Sequence, residues 1–111
     1  MDIKRGQIYS VDFGNGIGSE QKGRRPAVVL QKDKGNKFAP TVIVAAITSV
    51  PTKHNLPTHL HIKKDLARES WALTEQIFTI DKSRLGRCLG CLDSETLTAL
   101  NKSISISLGL R

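Results

Sequence analysis

Two residues whose types suit phosphate chemistry, Arg25 and Thr48, stand at the ends of two predicted strands. Arg25 directly precedes a strand that begins at Pro26, and Thr48 directly follows an apolar run that ends at Ile47. If these strands pair antiparallel, as we expect, the start of one lies beside the end of the other. The sequence therefore predicts a guanidinium and a hydroxyl at the same end of one sheet.

This pair suits cleavage of an RNA phosphodiester, because the 2′-OH of the substrate supplies the nucleophile. Arg25 can hold two non-bridging phosphate oxygens in a bidentate contact. Thr48 can donate a hydrogen bond as negative charge builds on the phosphorus centre. Plainer roles stay open: Arg25 as a solvated loop cation or an ion-pair partner of Glu20, and Thr48 as an ordinary strand residue.

Proton transfer needs a further group, because an arginine side chain stays protonated in proteins. Two polar loops leave these strand ends, over residues 14–25 and residues 48–58. The second loop carries His54, and a histidine titrates near neutral pH, which suits a general base. The first loop carries Glu20 as the alternative. The spacing does not decide between them.

The charge balance favours a polyanionic partner. Seventeen lysines and arginines against ten acidic residues leave a net charge of +7. Each phosphate that such a cation neutralises releases condensed counterions, although a basic surface also serves solubility or an acidic protein partner. From the sequence we expect one domain over residues 1–111, in the cytoplasm, with no membrane helix and no secretory signal.

Cys88 and Cys91 form a C-x-x-C pair, a pattern found in redox motifs and in zinc sites. The redox role needs a thioredoxin-like context that the sequence does not show. A zinc site needs further ligands from His54, His59 and His61, and the spacing matches no standard zinc module. We expect two buried, reduced thiols, and neither a metal nor a cofactor.

The rest of the chain predicts short strands. Alternating or continuous apolar residues predict strands at residues 9–13, 26–30, 41–47, 59–62, 70–73 and 76–80, with a turn at 33–36. The run at 41–47 is apolar throughout, which is typical of a central strand. His59 and His61 are expected to face solvent or a partner, and Trp71 to pack in the core or a dimer interface.

One helix is predicted after the strands. Leu97, Leu100, Ile104 and Leu108 recur at helical spacing and define one apolar face. Asp93 or Ser94 can cap its start, and Gly109 can end it. The pattern predicts a mainly β fold with α, in which a small, strongly curved β-barrel is closed at one side by a C-terminal amphipathic helix.

Seven blocks of sequence recur together in a family of known proteins. They are KRGQIY at 4–9, GSEQ at 18–21, RP at 25–26, PTVIVAAIT at 40–48, LPTH at 56–59, EQI at 75–77 and TIDK at 79–82. Their order and spacing, from residue 4 to about residue 85, resemble the MazF/PemK toxins of bacterial type II toxin–antitoxin systems. The final helix fits the family as well.

The resemblance implies an SH3-like barrel of the CcdB/PemK type, a homodimer, and an mRNA interferase that is independent of ribosomes and metal. Such an enzyme cleaves single-stranded RNA at short motifs and leaves a 2′,3′-cyclic phosphate and a 5′-hydroxyl. It also implies a cognate antitoxin whose acidic tail occupies the RNA groove. Arg25 and Thr48 take the catalytic roles. The remaining candidates, as RNA contacts, are Ser19, Gln21, Lys22, Ser49, Lys53, His54, Leu56 and Gln76, with Glu20 in support.

The sequence departs from the family pattern at a few positions. Phe78 stands where related sequences often have arginine, and Lys22 and Arg24 add charge beside Arg25. These changes bear on base preference and groove shape. Two other functions remain open: a non-catalytic SH3-like module that binds nucleic acid or protein, and a CcdB-like gyrase poison.

Overall fold

The computed structural model describes residues 2–51, 56–63 and 66–110. The described chain forms six strands, two α-helices and one 3₁₀ turn. In chain order these are β1 Gln7–Asp12, β2 Arg24–Val29, α1 Asp33–Phe38, β3 Thr41–Thr48, β4 His59–Ile62, β5 Ser70–Asp81, the 3₁₀ turn Lys82–Arg84, β6 Leu85–Cys91 and α2 Ser94–Leu108.

The strands form one antiparallel sheet in the order β4-β5-β3-β2-β1-β6. β3 lies between β5 and β2, and five of its eight residues are buried, as the apolar run predicted. The mainly β fold with a C-terminal helix is therefore confirmed. β4 and β6 are edge strands, so the sheet is an open, barrel-like form of the predicted barrel.

The sheet is covered on both faces by separate apolar clusters. One cluster contains Val11, Ala27, Val44 and Ala46 and has no member from α2, so on this face the strands bury one another; we call it the inner face. The other contains Ile8, Val28 and Ala45 together with residues of α2, and we call it the helix face. Successive strand residues alternate between the two faces.

α2 closes the helix face over β4 and β5. Asp93 caps its start by accepting a hydrogen bond from the Thr96 N–H, and Gly109 ends it in the left-handed conformation, as predicted. Leu100 is fully buried in the predicted apolar face. Leu108, the last residue of that apolar face, is 57% exposed.

Residues 70–73 and 76–80, predicted as two strands, belong to the single strand β5. The pairing with β3 jumps from Ala46 opposite Leu73 to Ala45 opposite Ile77. The three residues between them, 74–76, form a bulge that breaks the alternation of apolar residues without ending the strand. The sequence pattern located this interruption but could not distinguish a bulge from a turn.

Two other elements differ from the prediction. The turn predicted at residues 33–36 is the short helix α1, in which buried Asn36 donates to the Gln31 carbonyl. β6 was not predicted, because its sequence LGRCLGC has neither apolar alternation nor β-branched residues. Cys88 and Cys91 lie on this edge strand and are exposed free thiols, so the expectation of burial is wrong. No helix of the described chain is long and apolar enough to cross a membrane.

Candidate active site at the β2–β3 strand end

Arg25 and Thr48 lie at the same end of the sheet, as strand direction predicted. β2 and β3 are antiparallel, with Ala27 opposite Ala46 and Val29 opposite Val44. The same register continued by two residues sets Arg25 opposite Thr48. Ala27 and Ala46 both belong to the inner-face cluster. Because side chains alternate along a strand, the side chains of Arg25 and Thr48, each two positions away, project from the same face. The guanidinium and the hydroxyl therefore leave the sheet on one side.

The immediate contacts leave both groups available to a ligand. Arg25 is exposed, and its Nε donates to the Lys22 carbonyl at 3.3 Å. No ion pair joins Arg25 to Glu20, so that alternative role for the arginine is wrong. Thr48 Oγ1 accepts a hydrogen bond from the Val50 N–H at 3.2 Å, and its own hydrogen is left to donate.

The loop before β2 is held in a defined turn. The Ile17 N–H donates to the Glu20 carboxylate at 2.8 Å, and the Glu20 N–H returns to the Ile17 carbonyl. Gly16 has φ +64°, and a Cβ there would lie 2.8 Å from the Gln21 carbonyl oxygen, so only glycine fits this close approach. The turn fixes the start of the segment that ends in Arg25.

The β5 bulge ties this loop to the sheet. Gln76 Nε2 donates to the Ser19 carbonyl at 3.0 Å, which joins two predicted RNA contacts that are 57 positions apart. Bulges often turn a side chain toward a functional site in this way. The structure thus joins Ser19 to Gln76 directly, and Ser19 lies on the loop that leads into the strand carrying Arg25.

The other predicted contacts lie on the two loops that leave this strand end. Gln21 and Lys22 lie on the loop before β2, Ser49 follows β3 and is exposed, and the Leu56 side chain is 51% exposed. Lys53 and His54 lie outside the described residues, so the structure does not place the histidine proposed as a base.

Two exposed apolar side chains at this end were missed by the sequence analysis. Ile17 is 82% exposed and Val50 is 52% exposed, in loops that are otherwise polar. Single exposed apolar side chains are normal on protein surfaces, so their exposure alone assigns them no contact. Their isolation within polar loops was the only signal in the sequence.

The histidines of β4 make pairs with carboxylates. His59 Nε2 lies 2.7 Å from Glu75 Oε2, and its side chain is only 9% exposed, so the expectation that it faces solvent or a partner is wrong. His61 stacks on the half-buried Trp71 and reaches Glu69. Burial raises the pKa of Glu75, but the hydrogen bond from His59, a backbone hydrogen bond and the nearby His59 charge together outweigh it and hold that pKa below its ordinary value. Among the described residues, no group of three His, Cys, Asp or Glu is placed to hold a metal ion.

These observations define an exposed strand end with a guanidinium and a hydroxyl, and a side-chain amide that binds the loop leading into it. Such groups can bind and polarise a phosphate through hydrogen bonds alone. Phe78 packs against Phe13 with ring centroids 4.9 Å apart and lies, partly buried, against the inner-face cluster.

The chain is similar to curated proteins over almost its whole length. It is 47% identical over 111 residues to the endoribonuclease MazF of Staphylococcus saprophyticus, covering 97% of this chain and 92% of that protein. It is 46% identical over 113 residues to the endoribonuclease EndoA of Bacillus subtilis, covering 99% of this chain and 97% of that protein.

Solved structures share the fold. MazF from Deinococcus radiodurans superposes with a TM-score of 0.86 at 22% identity, over 99% of each chain. A mycobacterial endoribonuclease, solved in complex with its cognate antitoxin, gives a TM-score of 0.83 at 24% identity, over 98% of this chain and 97% of that one. Residues 4–108 match the family model described as the PemK-like, MazF-like toxin of type II toxin–antitoxin systems. The chain therefore belongs to the PemK-like, MazF-like toxin family.

Proposed function

We propose that this toxin is an endoribonuclease that cleaves single-stranded RNA at short sequence motifs, without a ribosome or a metal ion. Two curated relatives with 46–47% identity are named endoribonucleases, and the similarity spans nearly the whole chain. The observation that carries the mechanism is the register of β2 and β3, which puts Arg25 and Thr48 on one face at one strand end.

The substrate supplies its own nucleophile. The 2′-oxygen attacks the adjacent phosphorus, the bond from phosphorus to the 5′-oxygen breaks, and the products are a 2′,3′-cyclic phosphate and a free 5′-hydroxyl. A base takes the proton of the 2′-OH, and the departing 5′-oxygen gains a proton. No group is transferred to the protein.

Arg25 and Thr48 stabilise the charge of this reaction. The Arg25 guanidinium binds the non-bridging oxygens as a planar fork, a geometry that lysine cannot reproduce. The Thr48 hydroxyl, which already accepts from the Val50 N–H, donates its hydrogen to the same phosphate. Removing one such donor commonly reduces the rate by about 10²–10³.

The base comes from one of the two loops. Glu20 is held by its bond from the Ile17 N–H, on the loop that leads into Arg25. His54 is the other candidate, and a pH–rate profile distinguishes them, since replacing the true base abolishes its limb of the profile. An unshifted pH–rate profile in His54→Ala would exclude the histidine as the general base.

RNA contacts are assigned to the surrounding side chains. The proposed set is Ser19, Gln21, Lys22, Ser49, Lys53, His54, Leu56 and Gln76. Unstacked bases of a single strand are read by hydrogen bonding and stacking against such groove residues. Sequence preference therefore depends on the two loops.

The proposed assembly is a homodimer in the cytoplasm, inhibited by a cognate antitoxin. A mycobacterial endoribonuclease of the same fold was solved in complex with its cognate antitoxin. A net charge of +7 favours an acidic antitoxin tail, which would compete with RNA for the same cations.

The test is cleavage of a long, mixed-sequence single-stranded RNA at low salt in EDTA. We expect cutting at a few sites, with cyclic phosphate at the new 3′ ends. Arg25→Ala is expected to reduce the rate by at least about 10² while the fold survives. RNA that is bound but stays intact would contradict the enzyme assignment and favour a binding module. Cleavage by Arg25→Ala at the parental rate would contradict the role of the arginine.

A further inference from the structure

A second arginine-lined surface lies beside the proposed active site. A cleft of about 440 Å³ is lined by Ser10, Arg24, Arg25, Pro26, Arg87 and Leu89. A neighbouring cleft of about 480 Å³ shares Pro26, Arg87 and Leu89 and extends to Ser49 and Arg68. Leu89 packs with the helix-face cluster, so this surface lies on the helix-face side of the strand end, with Arg25 at its edge.

The Arg24 guanidinium is held in place. Its Nη1 donates to Ser10 Oγ at 3.1 Å. A Cβ on Gly86 would lie 2.7 Å from the same nitrogen, so the guanidinium lies close over β6 and a side chain at that position would displace it. This position brings Arg24 from β2 across β1 to the strand that carries Arg87. An ordered guanidinium loses less conformational entropy when it binds an anion.

These cations have no acidic partner in the part of the chain that the structure describes. The ion pairs recorded there do not include Arg24, Arg25 or Arg87. Asp12 is the strand partner of Arg24, but its carboxylate accepts from the Gly14 N–H at 2.9 Å instead. The surface therefore keeps several positive charges close together without neutralising them.

We propose that Arg24 and Arg87 form a subsite for the backbone phosphates next to the scissile phosphate. The proposal rests on the function proposed above, because it takes Arg25 as the clamp on the scissile phosphate. Single-stranded RNA carries one phosphate per nucleotide, so a strand held at Arg25 brings its neighbouring phosphates to the cations that border Arg25. An acidic peptide is less favoured, since the cleft is continuous with the strand end where the reaction occurs.

The test replaces both arginines, as Arg24→Gln/Arg87→Gln. The control is Lys34→Gln/Lys37→Gln, which removes the same charge from α1 at the opposite end of β3. Cleavage of single-stranded RNA gives kcat and KM. Binding of a mixed-sequence single-stranded DNA, which lacks the 2′-OH and stays intact, is measured by fluorescence anisotropy at several salt concentrations.

Loss of two phosphate contacts lowers the slope of log affinity against log salt by about 1.4 for a single strand. We expect that change, and a KM higher by on the order of tenfold with kcat within about twofold. In the control variant Lys34→Gln/Lys37→Gln, we expect neither the salt slope nor KM to change by a comparable amount. Equal effects in both double variants, or an unchanged slope in Arg24→Gln/Arg87→Gln, would overturn the proposal.

A third variant separates placement from charge. Gly86→Ala keeps every charge but displaces the Arg24 guanidinium. We therefore expect the slope of log affinity against log salt to fall by about half as much as in the double variant. If Gly86→Ala binds single-stranded DNA as the parent does, the held position of Arg24 has no role.

The outcomes distinguish this proposal from the one on which it rests. A parental protein that cuts no RNA contradicts the proposed function, while the DNA-binding slope still tests the subsite. Normal cleavage with an unchanged slope contradicts the subsite alone. Weaker binding of a polyglutamate peptide with unchanged nucleic-acid binding would assign the cleft to an acidic protein instead.

Discussion

The β2–β3 strand end and the β5 bulge belong to one sheet, but the polar groups of the bulge are hydrogen-bonded within the protein and those of the strand end are largely exposed. At the bulge, the Thr74 hydroxyl contacts the carbonyls of Thr58 and Ser103, and Ser107 donates to the Thr74 carbonyl. At the strand end, Arg25 makes one long bond to a carbonyl and no ion pair with a described residue.

The difference follows from burial. Thr74 is fully buried under α2, where an unbonded hydroxyl would destabilise the fold. The exposed arginines can be hydrated in the free protein and release that water when a phosphate binds. We infer that the bulge holds the structure together and the strand end binds the ligand, with Gln76 linking the two.

Thr74→Val tests the structural half of this comparison and should show the largest effect on stability. Valine has nearly the same shape but its side chain cannot donate to the Thr58 or Ser103 carbonyl, so we expect a loss of about 1–3 kcal/mol in the free energy of unfolding. Thermal and urea unfolding measure it. The control is Thr79→Val, at an exposed position of the same strand. Equal stability of the two variants would contradict the structural role of the bulge.

Gln76→Ala tests the link between the two regions. It removes the bond to the Ser19 carbonyl, so the loop before β2 loses its tie to the sheet and RNA cleavage should fall by up to about tenfold. Gln31→Ala is the matched control, because its side-chain amide also donates to a backbone carbonyl, that of Thr41, at the far end of β3. If the two variants cleave equally well, Gln76 does not position the loop.

The pair of Glu75 with His59 should give the smallest effect, which appears only in acid. Because the folded protein holds the pKa of Glu75 below its ordinary value of 4.5, the carboxylate contributes stability above that pH. This contribution is lost as the pH falls through the lowered pKa. Between about pH 6 and about pH 3, the parent should therefore lose more unfolding free energy than Glu75→Gln. Urea midpoints measure it, and parallel pH profiles would contradict the pairing.

Local sequence was sufficient for the strand end. The apolar residues after Pro26 marked β2, although the strand begins two residues earlier, at Arg24. The apolar run marked β3, and strand direction alone brought Arg25 to the same end of the sheet as Thr48. The cap at Asp93 and the stop at Gly109 were equally local signals. The family resemblance then supplied the chemistry, which no spacing of two residues specifies.

The features that sequence could not predict depend on contacts between distant residues. The bulge at residues 74–76 exists because Thr74 meets Thr58 and α2, and neither partner is adjacent in the chain. β6 forms by pairing with β1, although its own residues have weak strand preference. Arg24 reaches Gly86 across β1, and these residues are 62 positions apart in the chain, so no local sequence pattern contains the contact.

The central claim is that Arg25 and Thr48 act on one phosphate, and a double-mutant cycle tests it directly. Single-turnover cleavage of one RNA is compared for the parent, Arg25→Ala, Thr48→Val and the double variant. We expect each single change to reduce the rate by about 10²–10³, and the double variant to be far less impaired than the product of the two losses, because groups that act together are non-additive. Fully multiplicative losses, or a parental rate in Thr48→Val, would contradict the claim.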